Sequence, residues 1–86
     1  MNFHYTNHFN RELKQKIKKD SSLKKKLILR LKLLLKNPQH PSLRLHKLKG
    51  RRINQYSIWI APNLRIIFAK EKETYILTDI LTHDQY

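Results

Sequence analysis

The sequence predicts an α+β fold: one strand and two helices, then three or more antiparallel strands, with helices covering one face of the sheet. Two patterns carry this expectation. Apolar residues recur at helical spacing between Phe9 and Leu35, and at alternating, strand-like spacing once Pro38 and Pro41 have passed. At 86 residues the chain can bury one modest core and no second one, so a single domain over residues 1–86 is expected.

In order, Phe3 and Tyr5 alternate with His4 and Thr6, which suits a short first strand. Asn7 is expected to cap a helix whose Phe9, Leu13 and Ile17 form a narrow stripe packed on a neighbouring helix. Asp20, Ser21 and Ser22 punctuate, and any of them can cap a second helix running to about Lys36. On that helix Leu23, Leu27, Ile28, Leu31, Leu34 and Leu35 project onto one broad face, expected to cover the sheet, while Lys25, Lys32 and Lys36 cluster opposite. Leu29 and Leu33 lie off that face; they either meet the first helix or form an exposed patch for a partner.

Asn37-Pro38 and His40-Pro41 end the helix, because proline lacks an amide donor and forces its predecessor into extended geometry. Leu43 and Leu45 then alternate with Arg44 and His46, so a strand here turns His46 away from the leucines, and Gly50 permits a turn. Tyr56 to Ala69 has the pattern of a hairpin around Pro62 and Asn63, with Ile58 and Ile60 on one parity and Leu64, Ile66 and Phe68 on its counterpart. Arg65 has the other parity and is expected on the open sheet face with Ser57 and Trp59, unless a two-residue turn sets it against Ile60. Glu71 to Glu73 mark another turn, and Thr74 to Leu81 a last strand.

Charge narrows the partner. The formal net charge is +13, and residues 1–52 hold sixteen of the nineteen Lys and Arg against only Glu12 and Asp20. Such a field favours nucleic acid, an acidic protein or an anionic membrane surface. The longest apolar runs, Ile58 to Ala61 and Ile66 to Ala69, are far too short to span a bilayer, and the absence of cysteine suits a reducing cytoplasm. A soluble cytoplasmic protein is therefore expected. Leu45 to Gly50 is the stretch where chemistry is expected first, because His46 stands beside Lys47, Lys49, Arg51 and Arg52, as a group acting on phosphate would.

Asn37-Pro38 followed by Leu43 and Leu45, His46-x-Leu48-Lys49-Gly50, the hairpin from Tyr56-Ser57-Ile58 to Leu64-Arg65-Ile66-Ile67-Phe68, and His83-Asp84 stand in an order that covers nearly the whole chain. In this the sequence resembles the RelE/ParE superfamily of toxins from type II toxin-antitoxin pairs, closest to its RelE and YafQ branches. The resemblance implies a RelE-like α+β domain in β-α-α-β-β-β order, with a small antiparallel sheet of about four strands backed by two N-terminal helices. It also implies an RNA-cutting site on the open face, with cleavage of messenger RNA, often on the ribosome. Matched by position, His46, Arg65 and His83 are the expected catalytic residues, with Tyr86 as the terminal aromatic. Lys47, Lys49, Arg51, Arg52 and Trp59 are the expected RNA contacts. The chain departs from the family pattern in three places. Tyr86 stands three residues beyond His83 where four are common, Trp59 replaces a usual polar or basic residue, and no glutamate precedes the sheet, which leaves His46 or His83 as the base.

Two histidines and an arginine suffice for metal-free cleavage: a base for the 2′-hydroxyl proton, a cation for the charge growing on phosphate and an acid for the departing 5′-oxygen. The histidines are scattered and no H-x-x-x-H pair on a helix is completed by an acid, so neither a metal nor another cofactor is expected. The toxin reading implies an acidic antitoxin as partner, besides messenger RNA and the ribosome, and no membrane. Two alternatives stay open: a ParE-like toxin that inhibits DNA gyrase without cutting RNA, and a non-catalytic basic RNA-binding protein.

Overall fold

A threonine hydroxyl ties the first strand, the first helix and the last strand together. In the computed structural model, which describes residues 1–50 and 54–82, Thr6 Oγ1 accepts from the Phe9 amide at 3.1 Å and donates to the Leu77 carbonyl at 2.9 Å. Thr6 is therefore the helix cap in place of the expected Asn7, because a hydroxyl can accept at the helix and donate to the sheet at once. Strand β1 (Asn2–Tyr5) leads into helix α1 (Asn7–Lys19) and helix α2 (Leu23–Lys36). A 3₁₀ turn at Pro41–Leu43 precedes β2 (His46–Lys47), β3 (Gln55–Ala61), β4 (Leu64–Glu71) and β5 (Thr74–Thr82).

The sheet has five strands, not about four, in the order β1-β5-β4-β3-β2. The ladders joining β2 to β5 are antiparallel, and β1 adds to β5 in parallel, an orientation the alternation in β1 could not reveal.

The helices cover the sheet more narrowly than their patterns suggest. Leu23, Leu27, Leu31 and Leu34 of α2 are buried, but Ile28 and Leu35 are each 43% exposed and Leu29 is 59% exposed. A cylinder resting on a nearly flat surface buries only the stripe beneath it, so flanking leucines stay wet. Leu33 is half-buried against the core. The α1 stripe packs chiefly on β5 instead of on a helix: Phe9 is fully buried in one cluster with Tyr75, Leu77 and Ile80, and Leu13 packs against that cluster. Between the helices Asp20 Oδ1 accepts from the Ser22 hydroxyl at 2.6 Å and its amide at 3.0 Å, and these bonds hold the Asp20 carboxyl below its ordinary value.

Two bulges set the register. Pro62 and Asn63 form a two-residue turn, with Asn63 at φ 62° and Ala61 opposite Leu64. Left alone, this turn would place Arg65 against Ile60. An extra residue in β3 between Trp59 and Ala61 corrects it, so Trp59 pairs with Arg65 and Ile58 with Ile66. In β5 a second irregularity skips Thr78, whose hydroxyl donates to the Ile67 carbonyl at 3.2 Å. That skip lets Tyr75 and Leu77 share the core with Ile80, which strict alternation forbids.

Candidate active site

The stretch expected to be a strand from Leu43 to His46 is built otherwise. His40 Nδ1 accepts from the Ser42 amide at 3.1 Å, the 3₁₀ turn follows, and Arg44 adopts a left-handed conformation with φ 48° and ψ 44°. The strand is only His46 and Lys47, paired with Ser57 and Tyr56. Leu43 is still fully buried, Leu45 packs on the core and His46 is exposed, so His46 faces away from the leucines as expected.

Register lines up the site. His46, Ser57, Ile67 and Asp79 form one row across β2 to β5, and Trp59, Arg65 and Leu81 form the next. This face was expected to be open. Its middle is closed, because Ser57 and Ile67 are fully buried, whereas Arg65 and Trp59 are half-buried.

Arg65 stands in the second row and reaches diagonally into the first. Its Nε donates to Ser57 Oγ, and its Nη2 donates to the Arg44 carbonyl at 2.7 Å and to His46 Nδ1 at 3.1 Å. A guanidinium only donates, and Nη2 has two hydrogens, one for each acceptor. The Nδ1 lone pair is therefore in use, and Nε2 carries the hydrogen of the neutral ring. Nδ1 also lies 3.4 Å from the Arg44 carbonyl, too long to compete with the contact to Arg65.

Trp59 sits where β3 has outrun its two-residue neighbour β2. The Arg30 and Arg44 guanidiniums lie 4.8 Å and 5.3 Å from the centre of its ring. Arg30 Nη1 donates to Ser42 Oγ at 2.9 Å, and that oxygen is 2.9 Å from His40 Nδ1, so the tryptophan is braced from helix and loop together. Lys47 and Lys49 are exposed beside the site. Arg51, Arg52, His83 and Tyr86 lie outside the described residues. The arrangement therefore brings His46, Arg65 and Trp59 into one neighbourhood. It adds three residues that pattern reading missed as site components: Ser57, Arg44 and Arg30. Ser57 could have been found from its shared parity with Arg65. Among the described residues no group of three or more His, Asp or Glu could hold a metal ion, and no helix is long and apolar enough to cross a membrane.

Residues 1–86 match the family described as the bacterial toxin of type II toxin-antitoxin system, YafQ. The chain belongs to the YafQ toxin family. No curated protein matches this YafQ-family chain, but solved structures share its shape. YafQ from E. coli strain BL21(DE3) superposes with a TM-score of 0.81 at 18% identity, over 96% of this chain and 93% of that one. A YoeB/ParE toxin from Agrobacterium tumefaciens gives 0.82 at 14% identity, over 96% and 99%. The toxin in the E. coli DinJ-YafQ toxin-antitoxin complex gives 0.78 at 18% identity, over 96% and 92%. At these identities the structures speak for the fold, which is the RelE-like one that the resemblance implies, with one strand more.

Proposed function

We propose that this YafQ-family chain is a metal-independent endoribonuclease that cuts messenger RNA, most effectively on the ribosome. The observation that carries the reading is the contact between Arg65 and His46 at 3.1 Å on a basic, half-open sheet face. A fixed guanidinium beside an imidazole is what a phosphodiester in transit to a pentacoordinate state requires. Arg65 takes the charge developing on the phosphoryl oxygens. His46, whose Nδ1 is engaged, offers Nε2–H to the same group as a donor. The base role then falls to His83, which removes the proton of the 2′-hydroxyl as that oxygen attacks phosphorus, and the Tyr86 hydroxyl protonates the departing 5′-oxygen. The products are a 2′,3′-cyclic phosphate and a 5′-hydroxyl. Lys47, Lys49, Arg51, Arg52 and Trp59 hold the RNA strand, and the lysines of α1 and α2 grip the ribosome.

The partner that restrains it is an acidic antitoxin, as DinJ accompanies YafQ in the E. coli complex. A groove between α2 and the edge of β3 suits an acidic amphipathic segment, since Leu29, Leu33 and Pro62 line it and Lys26 and Arg30 supply the cations. Cytoplasmic action follows from this substrate.

Purified protein incubated with translating ribosomes, with message 5′ ends then mapped, tests the assignment. Cleavage that survives chelator, and falls by about a hundredfold or more in Arg65→Ala and His83→Ala, is expected. No cleavage by the wild type, or equal cleavage by the variants, overturns it; inhibition of DNA supercoiling in its place assigns the chain to the gyrase-directed alternative.

A further inference from the structure

Four described non-glycine residues have positive φ: Arg44, Asn54, Asn63 and Lys72. Two are asparagine, the side chain that tolerates this region best, and Lys72 sits at the tip of an exposed turn. Arg44 is different, because its unusual backbone is directed at something. Its amide closes the 3₁₀ turn on the Pro41 carbonyl at 3.1 Å, and its own carbonyl meets Arg65 Nη2 at 2.7 Å. The direction of a carbonyl depends on the ψ of its own residue. With Arg44 in the ordinary helical or extended regions, this oxygen would swing away and Arg65 would lose the partner that sets the angle of Nη2 toward His46.

The side chain supplies the reason for arginine at this position. Its guanidinium lies over Trp59, which Arg30 holds from α2. Stacking on a braced ring restrains residue 44 from outside its own backbone, so the strained conformation persists although glycine would adopt it more readily. Trp59, Arg44, Arg65 and His46 thus form one connected chain of contacts.

We propose that Arg44 is a positioning residue: its left-handed backbone, held by stacking on Trp59, aims its carbonyl at Arg65 and thereby fixes which nitrogen of His46 carries the hydrogen. The proposal rests on the nuclease reading only for its catalytic consequence. The tautomer of His46 is a physical property readable without any cleavage.

The test uses the full-length protein labelled with ¹⁵N, and the histidine ring correlations recorded at mildly alkaline pH, with His46 assigned by comparison with His46→Gln. Wild type is expected to show His46 as the Nε2–H tautomer. Arg44→Gly, which accepts the left-handed region freely, is expected to keep that signature. Arg44→Val, whose branched Cβ excludes it, is expected to give a mixture of tautomers. In the cleavage assay Arg44→Val should show a kcat about tenfold or more below that of Arg44→Gly, with the smaller difference in KM. If Arg44→Val does not fold, Trp59→Leu takes its place. It removes the stack without touching residue 44, and is expected to shift the tautomers in the same direction. An unchanged His46 signature in Arg44→Val, or in Trp59→Leu where that takes its place, overturns the proposal. So does a signature already mixed in the wild type. Absence of cleavage in every protein, with the tautomer shift intact, overturns the nuclease reading and leaves the positioning role standing.

Discussion

Replacing Ser57 by alanine removes one oxygen atom from the candidate site and should be felt in both stability and rate. Ser57 is fully buried, and its hydroxyl accepts from Arg65 Nε. Alanine leaves that N–H facing a methyl group in a place water reaches poorly. Hydrogen bonds to charged groups contribute about 1.5–3 kcal/mol, and because Arg65 is half-buried and can recover part of its hydration, about 1–2 kcal/mol is expected here. For a domain of this size that lowers the melting temperature by roughly 5–15 °C. The Arg65→Met variant and the double variant complete a cycle, whose interaction energy should also be about 1–2 kcal/mol. Urea unfolding of the four proteins gives that energy. Cleavage of a defined message should fall between about ten- and a hundredfold in Ser57→Ala, since a guanidinium that has lost its Nε anchor is held less well in the orientation a phosphate would need. A coupling energy indistinguishable from zero would refute the view that Ser57 holds Arg65. Undiminished cleavage would separate that holding from catalysis.

Leu34→Ala empties a fully buried position between α2 and the sheet and is expected to cost about 2–5 kcal/mol in urea unfolding. Burial raises the Tyr75 phenol above its ordinary value, so its contribution is complete below the unfolded value of about 10 and is lost as pH rises toward the folded one. Tyr75→Phe, which keeps the ring beside Phe3 and Phe68, should therefore flatten the loss of stability above about pH 10, read as the urea midpoint against pH. Asn63→Val, at φ 62°, should destabilise the hairpin by about 1–2 kcal/mol, whereas Asn63→Gly should stay close to wild type. RNA binding by the basic face should weaken steeply with salt, with a slope near 0.7 per phosphate contacted on a logarithmic plot, and a flat salt response would argue against a phosphate-gripping surface.

The physical limits of pattern reading show at particular residues. Both helices, the hairpin and the last strand are legible because periodicity records which face leaves water, and burial of that face is the largest favourable term. The same periodicity overstates the α2 face, since Ile28 and Leu35 satisfy it as well as Leu27 and Leu34 do, and only the width of the sheet contact divides them. It also hides the bulges. The Pro62-Asn63 turn, taken with strict pairing, sets Arg65 against Ile60, and the extra residue in β3 that sets it against Trp59 leaves no mark in hydropathy.

Local sequence determined the order of elements, the basic half of the chain and the candidacy of His46, because each is a matter of residue type and spacing, whereas the candidacy of Arg65 came with the family resemblance. Tertiary structure alone decided that Arg65 reaches both Ser57 and His46, that Arg44 turns left-handed to offer its carbonyl, and that Trp59 lies against two arginines. The three bonds of Arg65 join residues eight, nineteen and twenty-one positions apart along the chain. They exist because strand pairing, two bulges and a 3₁₀ turn bring separate segments within hydrogen-bond reach, and no short-range propensity encodes that meeting.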